Sequence, residues 1–209
     1  SRVNPTGERY ALDADGIRLL APIIPSKIYG LAKNYEAHAQ FMHEAGHSEI
    51  AHAPEDMMIF MKPFTSVIGP DDPIVMPGAS HDMNYEPEVA VVIGRIAKNV
   101  PVERAMDYVL GFTCTNDVTL RDLQKLDPMW TRAKGFDTAC PLGPWIQTEL
   151  DWRDARISFS LNGEDVPEAS GTTANLIHGI PEQIAAISSY ATLLPGDVIL
   201  TGTPHASGS

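Results

Sequence analysis

Asn84-Tyr85-Glu86-Pro87-Glu88-Val89-Ala90-Val91-Val92-Ile93-Gly94 sets two acids directly before five apolar residues closed by a glycine. The apolar run is rich in β-branched residues and shows no polar alternation, which is the pattern of a strand buried in a sheet. Side chains along a strand alternate faces, so Glu86 and Glu88 project to the same side. Two carboxylates this close repel, and each resists ionisation unless a cation lies between them. Hard divalent ions such as Mg²⁺ take oxygen ligands from one or two carboxylates and keep room for a substrate. The pair is therefore a candidate metal site, weighed against the plainer alternative of two acids facing solvent at a strand mouth.

Outward from this strand, the chain is built of short apolar pieces separated by proline and glycine. Ser26 to Leu31, Ile59 to Lys62, Val67-Ile68, Ile74 to Met76, Leu110 to Thr115 and Val198 to Thr201 read as strands. Ile157 to Leu161 alternates and runs into Asn162-Gly163, a strong hairpin signal. Helical spacing is expected in Asn34 to Glu44, Val102 to Val109 and Pro181 to Leu193, whereas residues 46–56 lack a period and read as a loop. The expected class is a β-rich α/β fold, a mixed β-sheet roll with short flanking helices. Residues 1–25, with turn signals at Asn4-Pro5-Thr6-Gly7 and Asp13-Ala14-Asp15-Gly16, read as a small N-terminal strand region, and residues 26–209 as the main domain. The last residues, Gly202 to Ser209, follow a strand directly, which suggests that the domain continues beyond them.

Composition narrows the partners. A net charge of −12 leaves no basic face for a phosphate backbone, so nucleic acid is not expected. No apolar run is long enough to cross a bilayer and no leader pattern opens the chain, so a cytoplasmic setting without membrane is expected. Cys114 and Cys140 lack a metal-binding spacing and read as buried free thiols. An anionic small molecule stays compatible with the charge, because a bound cation and a few local basic groups can dominate one pocket.

Further clusters bear on the glutamate pair. Asp117 ends an expected strand and is a possible third carboxylate, with Arg121 and Gln124 one helical turn apart beside it. Lys134 lies in an aromatic setting between Trp130 and Phe136. Asn34-Tyr35-x-x-His38, Tyr85-Glu86-x-Glu88, Asn116-Asp117-x-x-x-Arg121-Asp122-x-Gln124, Lys134-x-Phe136-Asp137-Thr138, Asn162-Gly163-Glu164 and Thr201-Gly202-Thr203-Pro204 follow one another in this order. Together they resemble the fumarylacetoacetate hydrolase family over about Ile28 to Pro204.

The resemblance implies one Mg²⁺ or Mn²⁺ held by Glu86, Glu88 and Asp117, a 2-oxo acid substrate, and assembly as a homodimer. It implies catalytic roles for His38 and Lys134, and substrate binding by Arg121, Gln124, Gly202 and Thr203. Hydrolysis of an acylpyruvate by C–C cleavage is the reaction expected first. A hydroxymuconate-type isomerase and an oxaloacetate-type decarboxylase are the alternatives within the family, because one metal-stabilised enolate serves all three. A non-catalytic metal- or carboxylate-binding relative is the alternative outside enzymology. One departure bears on the choice. Hydrolytic and decarboxylating members commonly carry His-x-x-Glu to activate water, and here the position three after His38 is Phe41. His43 and His47 are the nearby substitutes for a base, while Asp122 and Asp137 read as structural acids.

Overall fold

A computed structural model of the chain describes residues 7–11, 16–205 and 207–208. In chain order the elements are β1 (Ile28–Ala32), α1 (Glu36–Glu44), β2 (Met58–Lys62), β3 (Val67–Ile68), β4 (Met83–Asn84), β5 (Pro87–Ile93), β6 (Val109–Asn116) and β7 (Thr119–Leu120). There follow α2 (Arg121–Leu126), α3 (Thr131–Lys134), β8 (Cys140–Gln147), β9 (Arg156–Ile157), β10 (Ser160–Leu161), β11 (Glu164–Asp165), β12 (Gly171–Thr172), α4 (Ile180–Tyr190) and β13 (Val198–Leu200). Seven strands form one mixed sheet in the order β2-β1-β13-β5-β6-β8-β3. The β1–β13 and β3–β8 pairs are parallel and the others antiparallel. The expected β-rich α/β roll is thus the fold.

The unbroken apolar run of β5 has a simple cause: both faces of that strand are covered. Val91 and Ile93 face a core shared with Tyr29, Phe112 and Ile199 and roofed by Ile180, Ile184 and Ile187 of α4. Ala90 and Val92 face the other way, into a core with Ile28, Cys140, Leu142, Val198 and Leu200. Register keeps the two sets apart, since Val91 pairs with Ile199 while Ala90 and Val92 pair with Leu200 and Val198. Glu88 shares the parity of Ala90 and Val92, so the second face leads straight into the acidic cluster. Pro181 sits in the first turn of α4, where its missing N–H has no intrahelical partner to lose.

The structure differs from expectation in several places. Ile74 to Met76 forms no strand, although Val75 N–H donates to Thr138 Oγ1 at 2.9 Å. Pro73 and Pro77 flank this piece and remove the donors a ladder needs. The piece Ile157 to Leu161 is broken in two: Ile157 pairs with Gly171, and Leu161 pairs with Glu164 across Asn162-Gly163. Both turn residues have positive φ, 55° and 83°, as a two-residue hairpin turn of the mirror-image type requires. Lastly, Cys140 is buried but Cys114 is exposed, because β6 turns it into an open groove beside Val89 and Gly143. Most of the two N-terminal turn signals lies outside the described residues, and the described residues before Ser26 carry no strand.

Candidate metal centre

Three carboxylates converge where β5 and β6 open. Glu86 precedes β5, Glu88 lies within it, and Asp117 follows β6, held alongside by the bond from Asp117 N–H to Glu86 carbonyl at 2.8 Å. Each offers an oxygen within 4.8 Å of the other two, and all three side chains are buried. Asn116 fixes the entry to the strand, its Oδ1 accepting Glu86 N–H at 2.8 Å. The expectation that period two places the glutamates together is met, and the solvent-facing alternative is not.

Basic groups surround the carboxylates. Arg121, at the start of α2, donates through Nη2 to Glu86 Oε1 and, at 2.6 Å, to Ser207 Oγ. Its Nε reaches Asn84 Oδ1 at 3.0 Å and its Nη1 reaches Gln124 Oε1 at 2.8 Å. Lys134, at the end of α3, bridges Glu86 Oε2 at 2.7 Å and Asp117 Oδ2. Lys62, the last residue of β2, donates to Asp117 Oδ1 at 2.6 Å. None of the three cations is more than 3% exposed, so none is an ordinary surface base.

These neighbours decide the charge states. Burial would raise Glu86, but Arg121, Lys134 and His38 outweigh it and hold the carboxyl well below its usual range. Glu88 goes the other way, pushed well up by burial and then by the charges of Asp117 and Glu86. Its one hydrogen bond among the described residues is from Gly202 N–H to Oε2, 2.7 Å. Burial works against the ammonium of Lys134, yet Asp117 and Glu86 keep its pKa above the usual value. A buried all-carboxylate oxygen set with one member so poorly compensated fits a hard divalent cation.

His38, on α1, is 6% exposed and presents Nε2 4.0 Å from Glu86 Oε1. Its Nδ1 lies 2.5 Å from the carbonyl oxygen of His205. A carbonyl only accepts, so Nδ1 carries the proton and Nε2 a lone pair. Burial lowers the pKa of this imidazole to about 4, with Glu86 and the His205 carbonyl opposing, so the ring is neutral near pH 7. Phe41 stacks beside it, ring centroids 6.5 Å apart, and also meets His205 at 6.3 Å. His43 is exposed and bonds to Ser48 carbonyl oxygen, away from the carboxylates.

The site opens into a cavity of about 300 Å³ whose walls include His38, His47, Gln124, Trp130, Lys134 and Thr203. Thr203 Oγ1 donates to Pro87 carbonyl oxygen at 2.8 Å, tying the end of β13 to the start of β5. Gly202 has φ of +102°, and a Cβ there would come within 2.9 Å of Asn34 Cβ. Only glycine brings its N–H to Glu88 in that space. Asp122 accepts from Ser80 Oγ and His81 N–H and is structural, as its sequence setting suggests.

Lys62 and Gly30 escape sequence reading. Lys62 looks like an ordinary strand-end lysine, and only its register opposite Ile28 turns it inward. Gly30 lies opposite Phe60, whose ring would be 2.3 Å from an added Cβ. That ring in turn carries Lys134 Nζ 4.9 Å from its centre and meets Trp130 edge-on.

Comparisons with known proteins agree with this architecture. The profile of the fumarylacetoacetate (FAA) hydrolase C-terminal domain matches residues 27–209. The structure of 5-carboxymethyl-2-hydroxymuconate delta-isomerase from Mycobacterium smegmatis is 48% identical with a TM-score of 0.81, over 91% of this chain and 72% of that one. That of 2-hydroxyhepta-2,4-diene-1,7-dioate isomerase from Mycobacterium marinum is 42% identical with a TM-score of 0.84, over 98% and 73%. Mitochondrial oxaloacetate tautomerase Fahd2a of Rattus norvegicus is 37% identical over 92% of this chain and 60% of its own length. Among the described residues no helix is long and apolar enough to cross a membrane. With its profile, its fold and its ordered motifs in agreement, the chain belongs to the fumarylacetoacetate hydrolase family of enzymes.

Proposed function

We propose that this chain is a divalent-metal-dependent isomerase that moves a proton between the enol and keto forms of a small 2-oxo dicarboxylate. The observation that carries the reading is His38: it faces the carboxylate cluster with a free Nε2 lone pair and has Phe41 where a water-activating acid would stand. The family resemblance assigns water activation to a His–Glu pair that is incomplete here, whereas tautomerisation needs only a base that takes a proton and returns it. The activities of the isomerases and the tautomerase above support the same choice.

Glu86, Glu88 and Asp117 would hold Mg²⁺ or Mn²⁺, which supplies Lewis acidity to an oxo or enol oxygen. Lys134 faces the same space, and its ammonium stabilises negative charge that develops on the substrate oxygen. Gln124, its Oε1 fixed by Arg121, keeps its amide N–H groups for the distal end of the substrate. His38 Nε2 accepts the enol proton and delivers it to the adjacent carbon, so that no atom is gained or lost. Trp130 and Met42 give this exchange an apolar wall on one side.

The test offers the purified protein enol-oxaloacetate, 2-hydroxyhepta-2,4-dienedioate and an acylpyruvate, each with Mn²⁺ and with chelator. Metal-dependent ketonisation that is lost in His38→Ala supports the reading. Hydrolysis of the acylpyruvate without tautomerase activity would return it to a hydrolase, and inertness toward all three would leave a non-catalytic relative.

A further inference from the structure

The charges buried around the cavity balance. With Glu86, Glu88 and Asp117 ionised, three negative charges meet the three positive charges of Lys62, Lys134 and Arg121, and all six side chains are buried. His38 adds no charge, since its neutral ring donates Nδ1–H to a backbone carbonyl. At the cavity rim Lys33 and Glu49 carry opposite charges and offset one another. A divalent cation therefore adds two positive charges that no group in the wall cancels. Uncompensated charge in a buried site is costly, so the ligand that fills the cavity with the cation is matched when it carries two negative charges.

Lys62 stands apart in this set. Arg121 and Lys134 line the cavity, where each can touch a ligand, but Lys62 does not. Its Nζ lies behind Asp117, 2.6 Å from Oδ1 and 3.5 Å from the Val118 carbonyl oxygen, and its side chain is fully buried. An ammonium so placed contributes charge without contact. Building on the metal reading above, we propose that Lys62 determines ligand charge: its buried positive charge makes the cation-loaded site select a dianion over a monoanion of the same shape. Without Lys62 the loaded site carries one positive charge fewer and matches a monoanion.

Oxalate and oxamate test this, being planar chelators of nearly equal size with charges of −2 and −1. Their affinities for the Mn²⁺-loaded protein are measured by calorimetry, with free Mn²⁺ followed by electron paramagnetic resonance. In the wild type the oxalate-to-oxamate ratio is expected to exceed that for aqueous Mn²⁺. Lys62→Met lowers the ratio by about tenfold or more, the effect of a unit charge one carboxylate away. Lys62→Arg, which keeps the charge, keeps the ratio. An unchanged ratio in folded, Mn²⁺-binding Lys62→Met, or a ratio lost in Lys62→Arg, overturns the proposal. If Lys62→Met does not fold, the wild-type comparison decides alone, and a ratio no greater than in water overturns the proposal. Wild-type protein that binds no Mn²⁺ sinks the metal reading itself, whereas Mn²⁺ binding without dianion preference sinks only the role of Lys62.

Discussion

Replacing Gly202 by alanine perturbs the metal centre through its backbone support. The φ of +102° is a conformation that residues with a Cβ hold only at a cost of ~1–3 kcal/mol. The new Cβ meets Asn34 Cβ at 2.9 Å and Leu31 carbonyl oxygen at 3.3 Å. Asn34 has no room to yield, because its amide donates to the His178 and Thr201 carbonyls and its Oδ1 accepts His178 N–H. Overpacking such a site costs a further ~1–3 kcal/mol. Stiffening of the unfolded chain returns ~0.4–1 kcal/mol. The balance is about 3 kcal/mol of destabilisation, or a fall in Tm of ~6–12 °C for a chain of this size.

Two controls separate the contributions. Gly78→Ala meets nothing within 4 Å and has no positive φ, so its Tm stays near wild type. Gly163→Ala also meets nothing but has φ of +83°, so it reports backbone strain alone. The difference between Gly202→Ala and Gly163→Ala is then the packing cost. Moving the turn also takes the Gly202 N–H from Glu88 Oε2, the one hydrogen bond of that carboxyl among the described residues. Loss of such an outer partner weakens metal binding by ~10–100-fold. Thermal unfolding in chelator and calorimetric titration with Mn²⁺ measure both effects. A Gly202→Ala protein that melts no lower than Gly163→Ala and binds Mn²⁺ as wild type does would refute the reasoning.

Three other outcomes follow from the geometry. Glu88→Gln keeps an acceptor for Gly202 N–H and removes a buried carboxyl whose ionisation is opposed by burial and by the charges of Asp117 and Glu86. In chelator it is therefore expected to melt a few degrees above wild type, and Mn²⁺ no longer raises its Tm; a lower Tm in chelator counts against a poorly compensated carboxylate. Gly30→Ala drives a Cβ into the Phe60 ring at 2.3 Å, costs ~1–3 kcal/mol, and displaces the surface under Lys134, so Mn²⁺-dependent turnover falls together with Tm. Cys140 is buried and its thiol is pushed up to about 11, chiefly by burial, so at pH 8 a thiol reagent modifies only Cys114 in the folded protein; labelling of both before unfolding contradicts the packing of β8.

Much of this site was legible in the chain because its pieces are local. Glu86 and Glu88 are two apart, and period two alone puts them on one face. Arg121 and Gln124 are one turn apart, and the structure joins them directly. The unbroken run Val89 to Ile93 required cover on both faces, which a mixed sheet with α4 on one side provides. Failures came where a local pattern competed with a distant constraint. Ile74 to Met76 has strand composition, but the flanking prolines leave it unpaired. Lys62 and Lys134 have identical chemistry on paper and both lie near aromatic residues, yet only the second falls in one of the ordered motifs.

What the sequence by itself determined is therefore the buried strand, the shared face of its two acids and the order of the motifs around them, because these depend on spacing along one chain. The tertiary structure alone decided how the acids are balanced. Lys62 reaches Asp117 from 55 residues away, and the carbonyl that fixes the His38 tautomer comes from 167 residues away. Charge compensation and proton placement depend on distance in space, and sheet register and loop return set that distance.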